Sequence, residues 1–257
     1  MPRLARIVIY PVKSLDGVVV NEARVLPSGA IEHDRQFALV DAQGKWVNGK
    51  RLPRIHRLRS AIDVAARTIH LSTGGTKREF HIDTDRQELA QWLSVFFGLR
   101  VRLEENGLNG FPDDTAAPGP TVISTATLAE VATWFPGLSL DDVRGRFRAN
   151  LEIHEVEAFW EDLLYREEGE AVRFRIGDML LEGTNPCQRC VVPTRSPKSG
   201  ERYDDFTAIF EKQRYETLPY WATRSRFDHF YRLAVNTRPV GSSTGMIRIG
   251  DEVTIVS

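Results

Sequence analysis

The stretch Phe37-Ala38-Leu39-Val40-Asp41-Ala42-Gln43-Gly44-Lys45-Trp46-Val47 consists of two apolar runs joined by a polar turn that contains glycine. Short apolar runs separated in this way predict β-strands. Similar signals recur about every 8–12 residues in the first half of the chain, a spacing typical of a β-sandwich or β-barrel. The other candidate strands there are Ala5–Tyr10, Val18–Val20, Ala23–Val25, Ala61–Val64, Thr68–Leu71 and Arg78–Ile82.

One helix interrupts these strands. Thr84-Asp85-Arg86-Gln87 fits a capping box with Thr84 as the N-cap, and Gly98 marks the end of the helix. Between them runs an apolar stripe at helical spacing, which we expect to face the core: Leu89, Trp92, Leu93, Phe96 and Phe97.

Residues 106–120 are rich in glycine and proline, which indicates either a linker or a long mobile loop. The predicted strand Thr121–Ile123 follows and leads to Ser124-Thr125. A helix is predicted to begin there and to end at Pro136-Gly137. Its expected inward side chains are Leu128, Val131, Ala132 and Phe135.

Two turns in the second half contain the Gly-Asp pair that is typical of β-hairpins: Gly177-Asp178 and Gly250-Asp251. Apolar runs flank both, so each is predicted to join two paired strands. A further helix is predicted near Phe206–Tyr215. The fold class predicted for the whole chain is therefore mainly β with some helices, that is α+β.

Composition limits the classes of function. The chain has 34 Lys and Arg against 35 Asp and Glu, and its net charge of -1 gives no overall field to recruit nucleic acid or an anionic membrane. No apolar run approaches the length of a transmembrane helix, and Met1–Arg6 lacks the features of a secretory signal. Two cysteines three positions apart do not suggest a disulfide framework, so we expect a cytoplasmic protein.

Both cysteines lie in Asn185-Pro186-Cys187-Gln188-Arg189-Cys190-Val191-Val192-Pro193-Thr194. A structural zinc site needs about four ligands, and the scattered histidines do not supply them. A redox dithiol belongs where a strand opens into a helix, whereas Cys190 precedes a β-like, proline-broken run. Two interpretations stay open. One is a single thiolate ligand for a metal that brings most of its own ligands, with Arg189 favouring the Cys190 thiolate. The other is a pair of small buried side chains.

Three further regions could bind an anion or a heterocycle. The predicted helix start at Ser124-Thr125 offers N–H groups for a phosphate, although a plain N-cap explains the same residues. Arg144–Leu151 places three arginines and an asparagine at the entry of a strand, which suits a phosphate but also a solvated face. Lys13-Ser14 and His33-Asp34-Arg35 offer more cationic and hydroxyl groups. The sequence contains no P-loop and no G-x-G-x-x-G motif.

Taken together, these segments resemble the MOSC family, which is named after molybdenum cofactor sulfurase C-terminal domains. The similar segments, in chain order, are Ile9–Ser14, His33–Val40, Arg146–Leu151, Phe159–Leu164 and Pro186–Cys190. The resemblance covers nearly the whole chain and is closest to the two-module group that contains the mitochondrial amidoxime-reducing components. It implies a small N-terminal β-barrel module, residues 1–118, packed on a mixed β-barrel MOSC domain, residues 119–257, with molybdopterin between them.

The resemblance also implies a cofactor and a site. The cofactor is molybdenum-molybdopterin, and its metal is bound by the thiolate of Cys190, while Cys187 packs beside it. The pterin and its phosphate are expected to contact Lys13, Ser14 and Arg35 from the N-terminal module, and Ser124, Thr125, Arg148, Asn150 and Arg189 from the MOSC domain.

The implied function is an oxidoreductase that reduces N-hydroxylated small molecules. Since no iron–sulfur extension follows Ser257 and no cysteines remain for one, we expect a separate electron donor, either a reductase or a ferredoxin-like protein. The alternative is a carrier of the cofactor, or of sulfur as a persulfide on Cys190, without redox turnover. The cofactor sulfurases, which the resemblance also reaches, have a pyridoxal-phosphate domain for which this chain is too short.

Overall fold

The computed structural model describes residues 1–241 and 244–256, so Ser257, the end of the predicted MOSC domain, lies outside the described residues. The strands are β1 Arg3–Ile9, β2 Val18–Val20, β3 Glu22–Val25, β4 Phe37–Asp41, β5 Arg59–Asp63, β6 Thr68–Thr73, β7 Thr76–His81, β8 Val101–Glu105, β9 Val122–Ser124, β10 Leu151–His154, β11 Val172–Ile176, β12 Met179–Gln188, β13 Arg232–Pro239, β14 Gly245–Arg248 and β15 Val253–Val256. The α-helices are α1 Arg86–Phe97, α2 Thr125–Thr133, α3 Leu140–Phe147 and α4 Phe206–Glu216.

Strands are the main component of the fold, at 34% of the residues against 22% in helices, which confirms the predicted α+β class. The pattern of buried and exposed residues along two strands shows why these segments form strands. All five residues of β4 are buried, as expected for a strand whose apolar run Phe37–Val40 is covered on both faces. In β11, buried and exposed residues alternate, as expected for a strand with one face toward solvent. Within the described ranges, no helix is long and apolar enough to cross a membrane.

The largest sheet joins distant parts of the chain. Its strand order is β15-β11-β12-β13-β9-β10-β1-β2, so β1 pairs with β10 near the middle of the sequence. Three smaller sheets pair β14 with β3, β4 with β8, and β5 with β6 and β7. The predicted boundary between residues 118 and 119 stays a prediction, and the shared sheet crosses it.

Three hydrophobic clusters form the core. One lies under the large sheet and includes Leu4 and Ile7 of β1 together with Val235 of β13. A second packs α1 on the N-terminal strands, and it buries the predicted apolar stripe apart from Trp92, which is partly buried against it. The third joins α2, α3 and α4 through aromatic side chains, including Phe206 and Phe210.

Two predicted local features, a hairpin turn and a helix cap, need correction. The Gly250-Asp251 turn does not join a hairpin, because β14 before it pairs with β3 and β15 after it pairs with β11. The Gly177-Asp178 turn does join paired strands, β11 and β12, as predicted. The N-cap of α1 is Asp85 rather than Thr84, and Asp85 makes no side-chain capping bond, so the predicted capping box is wrong.

Two stretches near the candidate site also differ from the prediction. Part of Arg144–Leu151 belongs to helix α3, which begins with a capping box formed by Ser139 and Asp142. The run after Cys190 forms a short 3-10 helix, Val192–Thr194, instead of a β-like segment. Helix α4 and the glycine end of α1 agree with the prediction.

Candidate functional site

A cavity of about 930 Å³ lies between the N-terminal strands and the second half of the chain. Its size is that of a site for a cofactor or drug-sized ligand. Seven of the nine predicted site residues line it: Lys13, Ser14, Arg35, Arg148, Asn150, Arg189 and Cys190. Cys187 lines it as well, so both cysteines lie at the same cavity as the predicted anion-binding residues.

The other two predicted residues, Ser124 and Thr125, are not part of this lining. Ser124 is fully buried and is the N-cap of α2, since its hydroxyl accepts a hydrogen bond from the Thr127 amide at 2.9 Å. The Glu161 carboxylate accepts from the Ser124 amide at 3.1 Å. The start of α2 is therefore closed by the chain itself, which favours the N-cap interpretation over phosphate binding.

The cavity wall is positively charged although the whole chain is not. Among the described residues, ten Lys and Arg side chains line it against six Asp and Glu side chains. A concentration of one sign of charge in a cleft raises the local concentration of ions of the opposite sign. The cavity therefore suits an anionic ligand.

On the N-terminal side, the cations have carboxylate partners. The Lys13 ammonium lies 2.7 Å from Asp113, and the Arg35 guanidinium pairs with Asp34. Burial lowers the pKa of Lys13, although Asp113 acts in the opposite sense. Partial burial alone would raise the pKa of Asp113, but Lys13 and Arg35 outweigh it and lower that pKa to about 2.

On the opposite side, three guanidinium groups have no carboxylate oxygen within 4.0 Å in the described part of the chain. They donate to backbone carbonyl groups instead: Arg146 to Pro193 at 2.7 Å, Arg148 to Leu15 at 2.6 Å and Arg189 to Phe147 at 2.5 Å. Each also lies over an aromatic ring, the closest being Arg148 at 4.0 Å from the centre of Tyr10. No carboxylate among the described residues forms an ion pair with them.

Three of the lining residues have a left-handed backbone. The φ angles are 71° at Ser14, 50° at Arg35 and 53° at Arg148. This conformation is uncommon for residues other than glycine and persists where the surrounding structure imposes it, often at ligand-binding sites. The presence of this conformation at three predicted site residues supports the interpretation of the cavity as a binding site.

The 106–120 segment forms one wall of the cavity and is tied to the structure on both sides. The Phe111 amide donates to the Arg35 carbonyl at 2.9 Å, and Asn236 donates to the Asp114 carboxylate at 3.2 Å. A Cβ at Gly110, where φ is +59°, would lie 2.7 Å from the Asp34 carbonyl oxygen, so glycine is needed at that close approach. The segment is therefore a wall of the site as well as a connection.

The two thiols have different neighbours. Both are free and partly exposed. The Arg189 guanidinium donates to the sulfur of Cys187 at 3.2 Å, whereas the sulfur of Cys190 accepts from the Val192 amide at 3.5 Å. The expectation that Arg189 favours the Cys190 thiolate is therefore corrected, since its contact is with Cys187.

The polar atoms of the cavity test whether molybdopterin fits. Arg146 Nε, Arg189 Nε and His56 Nε2 are buried and have no hydrogen-bond partner. Buried donors without partners are costly, and lining residues that carry them fit a ligand with acceptor oxygens. Among the described residues, no group of three or more His, Cys, Asp and Glu could hold a metal ion. The buried donors of Arg146 and Arg189 thus fit a ligand that carries a phosphate.

Sequence reasoning missed several residues of the site. His56 is buried at the cavity, and burial, followed by the charges of Arg148 and Arg195, lowers its pKa to about 4. Asp34 and Asp113, the partners of two predicted cations, were not assigned to the site either. His56 and Asp113 carry no local sequence signal, because distant segments bring them to the cavity. Asp34 adjoins the predicted Arg35, and that adjacency could have revealed it.

Curated relatives of this chain are molybdenum cofactor sulfurases. The protein of Drosophila mojavensis is 29% identical over 231 residues, which are 78% of this chain and 29% of that protein. The human protein is 23% identical over 243 residues, covering 76% of this chain and 26% of that protein. The chain thus spans less than a third of the length of these relatives.

The family comparison covers most of the chain. Residues 1–100 match the MOSC N-terminal beta barrel domain, and residues 120–254 match the MOSC domain. The first match contains Lys13, Ser14 and Arg35, and the second contains Arg148 and both cysteines. Since the second match alone extends over more than half of the sequence, the chain belongs to the MOSC domain family.

Proposed function

We propose that the cavity binds molybdenum-molybdopterin and that the protein reduces N-hydroxylated small molecules with electrons from a separate donor protein. The observation that carries the proposal is the meeting of two features at one cavity. Guanidinium groups without carboxylate partners line it, and so does the partly exposed Cys190 thiol. Arginine binds phosphate oxygens with a planar set of donors, and a thiolate is a soft ligand for a transition metal.

In this proposal the phosphate lies near Arg148, whose charge no carboxylate of the described residues neutralises. Lys13 and Ser14 add an ammonium and a hydroxyl from the opposite wall. Each charge-assisted hydrogen bond to phosphate contributes roughly 1.5–3 kcal/mol. Because walls from both halves of the chain take part, the cofactor would be held between them.

Cys190 would bind the metal from the turn that follows β12. When bound, the cofactor supplies the oxidation–reduction chemistry, and the protein supplies orientation and charge. Arg146 holds the Pro193 carbonyl at 2.7 Å and so fixes the short helix that follows Cys190. Part of the cavity beside Cys190 would then receive the substrate.

The enzyme is tested with protein purified from a host that makes the cofactor. Given an artificial electron donor and benzamidoxime, the loaded protein is expected to form benzamidine. Protein from a host that cannot make the cofactor is the control and should form none. A fully loaded protein without turnover would contradict the oxidoreductase.

A second function, that of a cofactor or sulfur carrier, is favoured by one finding: the curated relatives are named molybdenum cofactor sulfurases. The carrier would hold a persulfide on Cys190. Mass spectrometry of the isolated protein separates the two proposals. A stable gain of one sulfur atom on the Cys190 peptide, in protein that contains no molybdenum, would favour the carrier.

A further inference from the structure

Asp34 lies at the floor of the cavity and joins groups from both halves of the chain. Its Oδ1 accepts from the Tyr10 amide at 2.7 Å and from the Asn150 side-chain amide at 3.1 Å, and its Oδ2 accepts from the Arg35 guanidinium. The carboxylate is 9% exposed. One buried side chain thus contacts two of the predicted cofactor residues, Arg35 and Asn150, which are 115 positions apart in the sequence.

Asn150 is already saturated with hydrogen bonds inside the protein. Its Nδ2 donates to the Val8 carbonyl at 3.0 Å and to Asp34, and its Oδ1 accepts from the amide and hydroxyl of Thr121 at 3.2 and 3.3 Å. An asparagine amide has two donor hydrogens and one acceptor oxygen with two lone pairs. No capacity is left for a ligand, so Asn150 serves to hold β1, β10 and the start of β9 in place.

The Tyr10 ring connects Asp34 to a second arginine. Asp34 fixes the Tyr10 backbone, while the guanidinium carbons of Arg148 and Arg35 lie 4.0 and 5.7 Å from the centre of the ring. Cations over an aromatic face are attracted to it. The positions of both guanidinium groups therefore depend on the arrangement around Asp34.

We propose that Asp34 is a positioning residue that, with Asn150 just before β10 as its partner, sets the orientation of Arg35 toward the phosphate of the cofactor. The inference rests on the proposed function. As a charge alone, Asp34 repels an anionic ligand, so its removal would slow the release of pterin. As a positioning group, it favours binding, so its removal would speed release. The two roles therefore predict opposite changes in the rate of pterin release when Asp34 is removed.

The test compares Asp34→Asn with Asp16→Asn. Asp16 lines the same cavity, and its carboxylate accepts from Arg59 at 2.6 Å and from the Ser60 amide at 2.8 Å. Among the described residues it makes no hydrogen bond or ion pair with a predicted cofactor residue. Its charge raises the pKa of Arg148, as that of Asp34 also does, so both variants share this effect. Both variants remove one negative charge from the cavity. We expect pterin release to be about tenfold faster in Asp34→Asn, the size of a lost charge-assisted contact, and unchanged or slower in Asp16→Asn. Equal acceleration in both variants, or none in Asp34→Asn, would overturn the inference.

A double-mutant cycle shows whether Asp34 acts through Arg35. In an Arg35→Gln background, adding Asp34→Asn should change the release rate less than about threefold, since coupled residues are not additive. A further tenfold acceleration in that background would contradict the proposed role, because Asp34 would then act by another route. Urea midpoints measured for all variants separate release from unfolding.

Two outcomes need separate treatment. If Asp34→Asn does not fold, Arg35→Lys keeps the charge but loses the planar fork that pairs with Asp34. Faster release from Arg35→Lys supports the inference, and wild-type release overturns it. Wild-type protein that carries no pterin would overturn the proposed function together with this inference, whereas pterin that stays bound equally well in wild type and Asp34→Asn overturns the inference alone.

Discussion

The two walls of the cavity handle positive charge in opposite ways. On the N-terminal wall, Lys13 pairs with Asp113 and Arg35 pairs with Asp34. On the wall built by α3 and the turn after β12, Arg146, Arg148 and Arg189 are held by backbone carbonyl groups and aromatic rings. A guanidinium held by neutral groups keeps its full charge toward a ligand. A guanidinium bound to a carboxylate is fixed in direction but largely neutralised.

This difference indicates a division of roles. In the proposed site, the wall without carboxylates would attract an anion, and on the other wall the Asp34 pair would orient Arg35, while Asp113 competes with the anion for Lys13. Burial lowers the pKa of Arg148, although Tyr10, Asp16 and Asp34 act in the opposite sense. No carboxylate among the described residues pairs directly with its guanidinium, so a bound anion would stabilise the buried charge. Substitutions on the two walls should therefore change pterin retention by different amounts and in different directions.

The largest effect, a loss of turnover, is expected at Cys190, the proposed metal ligand. Cys190→Ser should abolish reduction of benzamidoxime, because a hydroxyl is a harder ligand and stays protonated at neutral pH. Cys187→Ser is the matched control and should keep most of the activity, since a serine oxygen can still accept from Arg189. Turnover assays on loaded protein check both. If both variants fail while folded, the cysteines act as a pair; if neither fails, the proposed mechanism is wrong.

The next effect concerns the stability of the empty site as the pH falls. The pKa of His56 is lowered from 6.5 to about 4 by burial and then by Arg148. Because the unfolded chain binds this proton more tightly than the folded protein, protonation favours unfolding. The free energy of unfolding is therefore highest above pH 6.5 and falls by about 3 kcal/mol in total as the pH is lowered toward 4. His56→Gln should remove this loss.

Urea unfolding of the two proteins between pH 7 and pH 4 measures the difference. Burial also raises the pKa of Glu161 to about 7, so Glu161 titrates in this range, but it does so in both proteins and cancels. The same pH dependence in wild type and His56→Gln would show that burial and the neighbouring arginines do not lower the pKa of His56.

A smaller effect is expected from Arg148→Asn, a substitution that removes the charge while asparagine tolerates the left-handed backbone at this position. Pterin retention should fall by roughly tenfold or more, the value of one charge-assisted contact. Arg59→Ala is the control, since Arg59 lines the cavity but pairs with Asp16. Pterin content after gel filtration measures both. Full pterin occupancy in Arg148→Asn would show that these arginines form a solvated surface and do not bind the phosphate.

The smallest effect should come from Asp113→Asn. Without the carboxylate, the Lys13 ammonium is free for the phosphate, so pterin release should slow. Because Asp113 is 61% exposed, the change should be no more than about fivefold. Asp114→Asn is the control, as Asp114 contacts Asn236 instead of a lysine. Faster release from Asp113→Asn would mean that the ion pair orients Lys13 rather than competing for it.

Local sequence signals predicted those elements whose contacts are local. The Gly177-Asp178 hairpin and helix α4 formed as predicted, because the turn residues and the helical periodicity lie within the element itself. The hairpin at Gly250-Asp251 did not form, since β14 finds its partner β3 more than 200 positions away. Helix α3 carries a capping box, at Ser139 and Asp142, that could have revealed it.

The candidate site divides in the same way. The resemblance to the MOSC family supplied nine site residues, seven of which the structure brings to one cavity. It did not supply Asp34, which adjoins its partner Arg35 in the sequence, or Asp113, which pairs with Lys13 from 100 positions away. Only the second pair depends on the approach of distant segments. Ser124 was expected at the site from its place at a helix start, but the buried Glu161 closes that helix start from another part of the chain.

The most direct test of the account is the molybdenum and pterin content of the wild-type protein, purified from a host that makes the cofactor. The account predicts molybdenum and molybdopterin in equal amounts, approaching one of each per chain and surviving gel filtration. Folded protein without either, from a host whose other molybdenum enzymes are loaded, would contradict the claim that this cavity is a cofactor site.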